Sequence, residues 1–188
     1  MIIVEGPDNS GKSTLISYLS NRFGLVKFKN IRSGPPKNAA DLYSRARFMI
    51  NKCIATHGNN FILDRLNLIS ESIYGPLCRG RDLWLSIYKD KQDLLTALNS
   101  LHPFYIYCRP SENIIMNMKT HQEKDYDTPE HLQKVNGELK NIIQAYDNYF
   151  APFERDYYYF HKYDYTKDGS LELLLTKLKE YLKYGEYK

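Results

Sequence analysis

Residues 6–13 read GPDNSGKS, a glycine, four intervening positions and then Gly-Lys-Ser. The octet follows the apolar run MIIVE and opens onto Leu15, Ile16, Leu19 and Phe23, which recur at helical spacing before Gly24 supplies a stop. Strand, glycine turn and helix in that order constrain the fold more than any other stretch of the chain. The glycines let the backbone curl so that several N–H groups converge on one anion, and the N-terminus of the helix adds its partial positive charge. Gly6, Asn9, Ser10, Gly11, Lys12, Ser13 and Thr14 are therefore the candidate nucleotide-phosphate residues. Lys12 suits the β- and γ-phosphates of ATP, and the Ser13 hydroxyl suits Mg²⁺.

Short β-rich runs recur between helical stretches: MIIVE, LVKF at 25–28, NFILD at 60–64, PFYIYC at 103–108 and DYYYFHKY at 156–163. The alternation predicts an α/β fold with a five-stranded parallel sheet flanked by helices in three layers, and apolar residues at consecutive positions suit strands covered on both faces. Thr128-Pro129 reads as the N-cap and first turn of a helix carrying Leu132, Val135, Leu139, Ile142, Ile143 and Tyr146 on one face. Ser170 precedes a second stripe, Leu171 to Leu182. SGPPKNAADL at 33–42 is a loop between the second strand and a helix. Residues 110–128 begin helical and turn polar, consistent with a mobile lid over a site.

At 188 residues the chain is expected to form one domain, 1–188. A formal charge of +4 suits a polyphosphate ligand and falls short of a nucleic-acid-binding stripe, so no nucleic-acid partner is expected. No apolar run reaches the length that spans a bilayer and MIIVEG lacks the marks of a signal peptide, so the expectation is a cytoplasmic protein with no membrane partner. Cys53, Cys78 and Cys108 form no CxxC pair and read as buried reduced thiols.

The acid that normally accompanies such a glycine loop sits at the end of a neighbouring strand, and FILD places Asp64 there as the second metal-side residue. Arg65 follows at once. A cation beside the metal acid is what transfer between two phosphates requires, because the acceptor must approach the γ-phosphate against repulsion.

EGPDNSGKST and DRLNLISESIY together resemble the thymidylate kinase family of P-loop kinases, and within it the phage-type deoxynucleoside monophosphate kinases. The two motifs anchor roughly the first half of the chain. The resemblance implies Mg-ATP as donor, a pyrimidine deoxynucleotide as acceptor, and a host-cell cytoplasmic location if phage-encoded, with a homodimer left open. It matches Asp8 to the acid that holds the sugar 3′-hydroxyl and Arg65 to the arginine on the acceptor phosphate. Ser70 and Tyr74 keep the family's internal spacing, the tyrosine lying near C2′. Departures are one extra residue between Asp64 and Ser70, Leu66 in place of the usual tyrosine, and only a faint echo, IRSGPP, of the segment after the second strand. Family lids carry arginines; here Arg109 and Lys119 are the candidate closing cations. Arg45 and Phe48, three apart on the helix starting near Asn38, are the candidate base readers. The adenine is expected near KYDYTKDG.

Two other readings stay open. A deoxynucleoside kinase would phosphorylate a neutral 5′-hydroxyl and needs a carboxylate base after the second strand, yet no Asp or Glu lies between Asp8 and Asp41. A monophosphate acceptor is already largely dianionic and needs cations instead. Glu5 keeps the nucleoside reading alive as a base from another position. A nucleotide-dependent switch would use the loop without transfer, but YCRPSEN contains no NKxD-type guanine reader. The expected reaction is transfer of the γ-phosphoryl group of ATP to a deoxynucleoside 5′-monophosphate, dTMP first.

Overall fold

A computed structural model of the chain describes residues 1–28, 34–55, 60–117 and 128–185. Five parallel strands, β1 (Ile2–Glu5), β2 (Val26–Phe28), β3 (Phe61–Asp64), β4 (Phe104–Cys108) and β5 (Phe160–Tyr163), form one sheet in the order β2-β3-β1-β4-β5. Helices α1 (Lys12–Phe23), α2 (Ala39–Ala55), α3 (Asn67–Arg79), α4 (Tyr88–Asn99), α5 (Glu112–Asn117), α6 (Pro129–Asp156) and α7 (Ser170–Gly185) connect and cover them. The sheet is the one expected from the alternating pattern.

The parity of β1 shows how both faces are buried. Ile2 and Val4 pack with Leu15, Leu19, Leu174 and Leu178 of α1 and α7, whereas Met1 and Ile3 pack with α2, α3, α4 and α6. Glu5 falls on the second face by the same alternation, and it is fully buried there. Among the described residues the edge strand β2 pairs with β3 alone, and its Val26 is 55% exposed.

The helix ends follow their sequence signals. Gly24 closes α1 in a left-handed conformation, and Thr128 caps α6 by accepting the His131 N–H at 3.2 Å, with Pro129 in the first turn. One boundary differs from expectation. Asp156 belongs to α6 and the last strand begins only at Phe160, because Phe150 and Phe153 hold the helix against Tyr105 and Phe160 of the sheet. The three cysteines are buried and unbridged. No helix among the described residues is long and apolar enough to cross a membrane. Of the expected lid, α5 is helical; residues 118–127, Lys119 among them, lie outside the described residues, as do 29–33, which include 31–33 of the IRSGPP segment.

Candidate active site

Chain order and spatial order diverge at β1, whose neighbours are β3 and β4, so the turn leaving β1 is flanked by the ends of both. Such a reversal leaves a crevice at the carboxyl ends of the strands. The turn needs its glycines for two separate reasons. Gly6 has φ +146°, and a Cβ there would lie 2.5 Å from the Cys108 carbonyl oxygen. Gly11 has φ +82°, and a Cβ there would meet the Tyr165 ring at 3.0 Å. Asn9 also has positive φ, +63°. The Tyr165 contact brings the β5–α7 loop, where the adenine was expected, against the glycine turn.

Lys12, in the first turn of α1, hydrogen-bonds the Pro7 carbonyl at 2.5 Å and lies 3.4 Å from Ser10 Oγ. Burial and the nearby Arg65 lower its ammonium to about 8, opposed by Asp8 and Asp64. Ser13 and Asp64 are exposed, at the start of α1 and the end of β3. A hydroxyl and a carboxylate with room for water fit Mg²⁺, which binds through few protein ligands plus substrate phosphates. Among the described residues no cluster of three or more His, Cys, Asp or Glu forms a dedicated metal cage.

Arg65 lies beside the turn. Its backbone is left-handed, φ +64°, and its N–H returns to the Val4 carbonyl at 3.0 Å. This bend carries the guanidinium to Asp8 Oδ1 at 2.6 Å, to the Gly6 carbonyl at 3.2 Å and to the Tyr74 hydroxyl at 3.0 Å. The Tyr74 hydroxyl in turn donates to Asp8 Oδ2 at 3.1 Å. Burial alone would raise the Asp8 carboxyl, but Arg65, Lys12 and the hydrogen bonds from Arg65 and Tyr74 hold it at about 2. Arg65 Nε is buried with no hydrogen-bond partner among the described residues. Three predicted site residues, Asp8, Arg65 and Tyr74, therefore meet in one cluster. Ser70, one turn before Tyr74, turns its hydroxyl back to the Leu66 carbonyl at 3.1 Å.

Other predicted residues are placed differently. Arg109 is directed onto α6, where Asp147 accepts from its Nε at 3.0 Å and its Nη2 at 2.9 Å, and where Tyr107 also donates to Asp147. A part as closing cation requires Arg109 to leave that pair. Arg45 and Phe48 are separated: Arg45 is buried and bonded to the Gly34 carbonyl and Asp41, each at 2.8 Å, while Phe48 is 46% exposed. The pull of the 34–38 turn on Arg45 explains the split.

Two residues support the site in ways the sequence did not suggest: Glu5 was read only as a possible base, and Tyr146 only as part of a helix stripe. Glu5 accepts from the Leu66 N–H at 2.5 Å and from the Tyr146 hydroxyl at 3.1 Å. Its total burial pushes the carboxyl up to about 7 despite those bonds and the nearby Arg65 and Lys12. The usable signal was an acid closing an otherwise apolar central strand. Tyr146 had none, because it sits on the α6 stripe that reads as ordinary core.

No protein-family model and no curated protein sequence matches this chain. Solved structures do resemble it. The deoxyadenosine kinase of M. mycoides with bound dATP is similar over 95% of this chain and 98% of its own, with TM-score 0.57 and 21% identity. The Bacillus subtilis YorR protein in complex with phosphorylated GDP is similar over 96% of this chain and 97% of its own, with TM-score 0.64 and 16% identity. The fold is P-loop kinase-like.

Proposed function

We propose that the chain is one nucleotide-kinase domain that transfers the γ-phosphoryl group of Mg-ATP to the 5′-phosphate of a deoxynucleoside monophosphate, with dTMP as first choice and the 110–128 segment as lid. The observation that carries this reading is Arg65, a part-buried guanidinium fixed beside the glycine turn by Asp8, Gly6 and Tyr74, with its buried Nε left over. A spare, oriented donor at that point suits an anionic acceptor.

In this reading Gly6, Asn9, Ser10, Gly11 and Thr14 hold the donor phosphates, and Lys12 bridges β and γ. Ser13 and Asp64 hold Mg²⁺, which offsets phosphate charge. Arg65 draws in the acceptor phosphate; one of its oxygens forms the new bond to Pγ as the bond to the β,γ-bridging oxygen breaks and ADP leaves. Asp8 receives the sugar 3′-hydroxyl, Ser70 and Tyr74 line the sugar side, and exposed Phe48 is left to face the base while Arg45 stays with Asp41 and the Gly34 carbonyl. Arg109 and Lys119 close over the transferring group.

The likeness to a deoxyadenosine kinase favours a second reading, phosphorylation of a nucleoside 5′-hydroxyl. Such a reaction needs a base, and two candidates, Asp41 and Glu5, are engaged: Asp41 by Arg45 and the Lys37 N–H, Glu5 by Leu66 and Tyr146. ADP release with Mg-ATP and a panel of nucleosides, NMPs and dNMPs decides between them. The monophosphate reading expects turnover with dNMPs; product from nucleosides alone overturns it. Tight ATP binding with no turnover on any acceptor would support a switch instead.

A further inference from the structure

Arg65 holds a left-handed backbone conformation that is uncommon for a residue with a side chain and persists only where its surroundings enforce it. The Arg65 N–H is fixed by Val4, and the next N–H, of Leu66, is taken by the Glu5 carboxyl. Leu66 is also the N-cap residue of α3, and it makes no side-chain cap. A carboxylate from β1 thus anchors the elbow between β3 and α3. Its other oxygen is held by Tyr146 of α6, whose ring meets the Tyr74 ring edge-on at 6.3 Å. Tyr74 returns to Arg65, with the guanidinium 4.9 Å from its ring centroid. The contacts close a circuit: Glu5, Leu66, Arg65, Tyr74, Tyr146 and back to Glu5.

We propose that Glu5 is a positioning residue for the acceptor: by holding the Leu66 N–H it keeps the β3–α3 elbow bent so that the Arg65 guanidinium faces the acceptor phosphate. This rests on the reading of the chain as a nucleotide kinase. Glu5 touches no reacting atom, and its work is to accept a hydrogen bond. A glutamine can do that through its amide oxygen while its NH₂ faces the Tyr146 hydroxyl. An aspartate is one methylene too short to reach both partners.

The test is a double-mutant cycle on acceptor kcat/KM with the dNMP that the panel selects. Glu5→Ala is expected to lower it at least tenfold in the wild-type background and less than threefold in an Arg65→Ala background, with the KM for ATP moving less than threefold in both. Glu5→Gln is expected to restore acceptor kcat/KM to within threefold. If Glu5→Ala does not fold, Glu5→Asp takes its place in the cycle. Additive losses, or equal rises in both KM values, would overturn the proposal as general loosening of the core. Loss of kcat in Glu5→Gln as deep as in Glu5→Ala would overturn it in favour of a general base. If the wild-type chain turns over no deoxynucleotide, the kinase reading fails by itself. The elbow is then judged by the Arg65 guanidinium ¹⁵N–¹H signal, assigned by its loss in Arg65→Lys: slow exchange in wild type and Glu5→Gln with collapse in Glu5→Ala supports the positioning role, and an unchanged signal in Glu5→Ala refutes it.

Discussion

Arg65 and Arg109 occupy equivalent places, each the first residue after a strand that flanks β1, yet their side chains do opposite things. The Arg65 N–H bonds inward to Val4 of the central strand, and its guanidinium crosses to the glycine turn. The Arg109 N–H bonds outward to Tyr163 of β5 at 2.7 Å, and its guanidinium is taken up by Asp147 on α6. The two also differ in backbone: Arg65 turns through a left-handed conformation, φ +64°, that Arg109 does not adopt. Arg65 is thereby committed to the turn and has a donor to spare, while Arg109 already has a full carboxylate partner.

The contrast makes graded predictions. Lys12→Ala, which removes the cation next to Arg65 in the turn, should lower turnover about a thousandfold while thermal melting stays cooperative; near-normal activity would end the mechanism. Arg65→Ala should cost roughly a hundredfold in acceptor kcat/KM with little change in KM for ATP. Arg109→Ala should cost only about tenfold and should also lower Tm, since it leaves the Asp147 carboxylate with only the Tyr107 hydroxyl. A loss equal to that of Arg65→Ala would erase the distinction between the two arginines. Tyr74→Phe keeps the ring beside Arg65 and removes the hydroxyl from Asp8, so a roughly threefold loss is expected.

A separate readout is pH-dependent stability, where Asp8 and Glu5, on either side of the Arg65 elbow, pull in opposite directions. Asp8 is held at about 2, below its ordinary 3.8, so its contribution is present above pH 3.8 and is lost as the pH falls toward 2. Glu5 is raised from 4.5 to about 7, so its contribution is full below pH 4.5 and is lost as the pH rises through 7. Denaturant melts of Glu5→Gln should therefore gain on wild type between pH 5 and pH 8, by about 2 kcal/mol. A constant difference across that range would show that Glu5 does not titrate there.

Much of the scaffold was legible because it rests on local rules. The glycine spacing, the apolar strands, the Gly24 stop and the Thr128-Pro129 start each depend on a few adjacent residues. The start of β5 was misplaced because tyrosine-rich sequence suits strand or helix, and only the packing of Phe150 and Phe153 against the sheet decided between them. Asp8, Arg65 and Tyr74 could be singled out by motif, but their meeting could not be seen from spacing: 57 positions separate Asp8 from Arg65 and 66 separate it from Tyr74. The Arg45–Phe48 pair shows the reverse case, a helical spacing that permits a shared face and a tertiary partner, the Gly34 carbonyl, that withdraws one member.

By itself the sequence determined that β1 would end in a glycine turn leading into a helix and that a parallel sheet would surround it, because backbone conformation and strand burial are set by residue type at short range. Only the tertiary structure decided which arginine faces that turn, and that Glu5 would stand behind it. Those outcomes depend on the left-handed turn of the Arg65 backbone, which Arg109 does not share, and on Tyr146 arriving from 141 positions away.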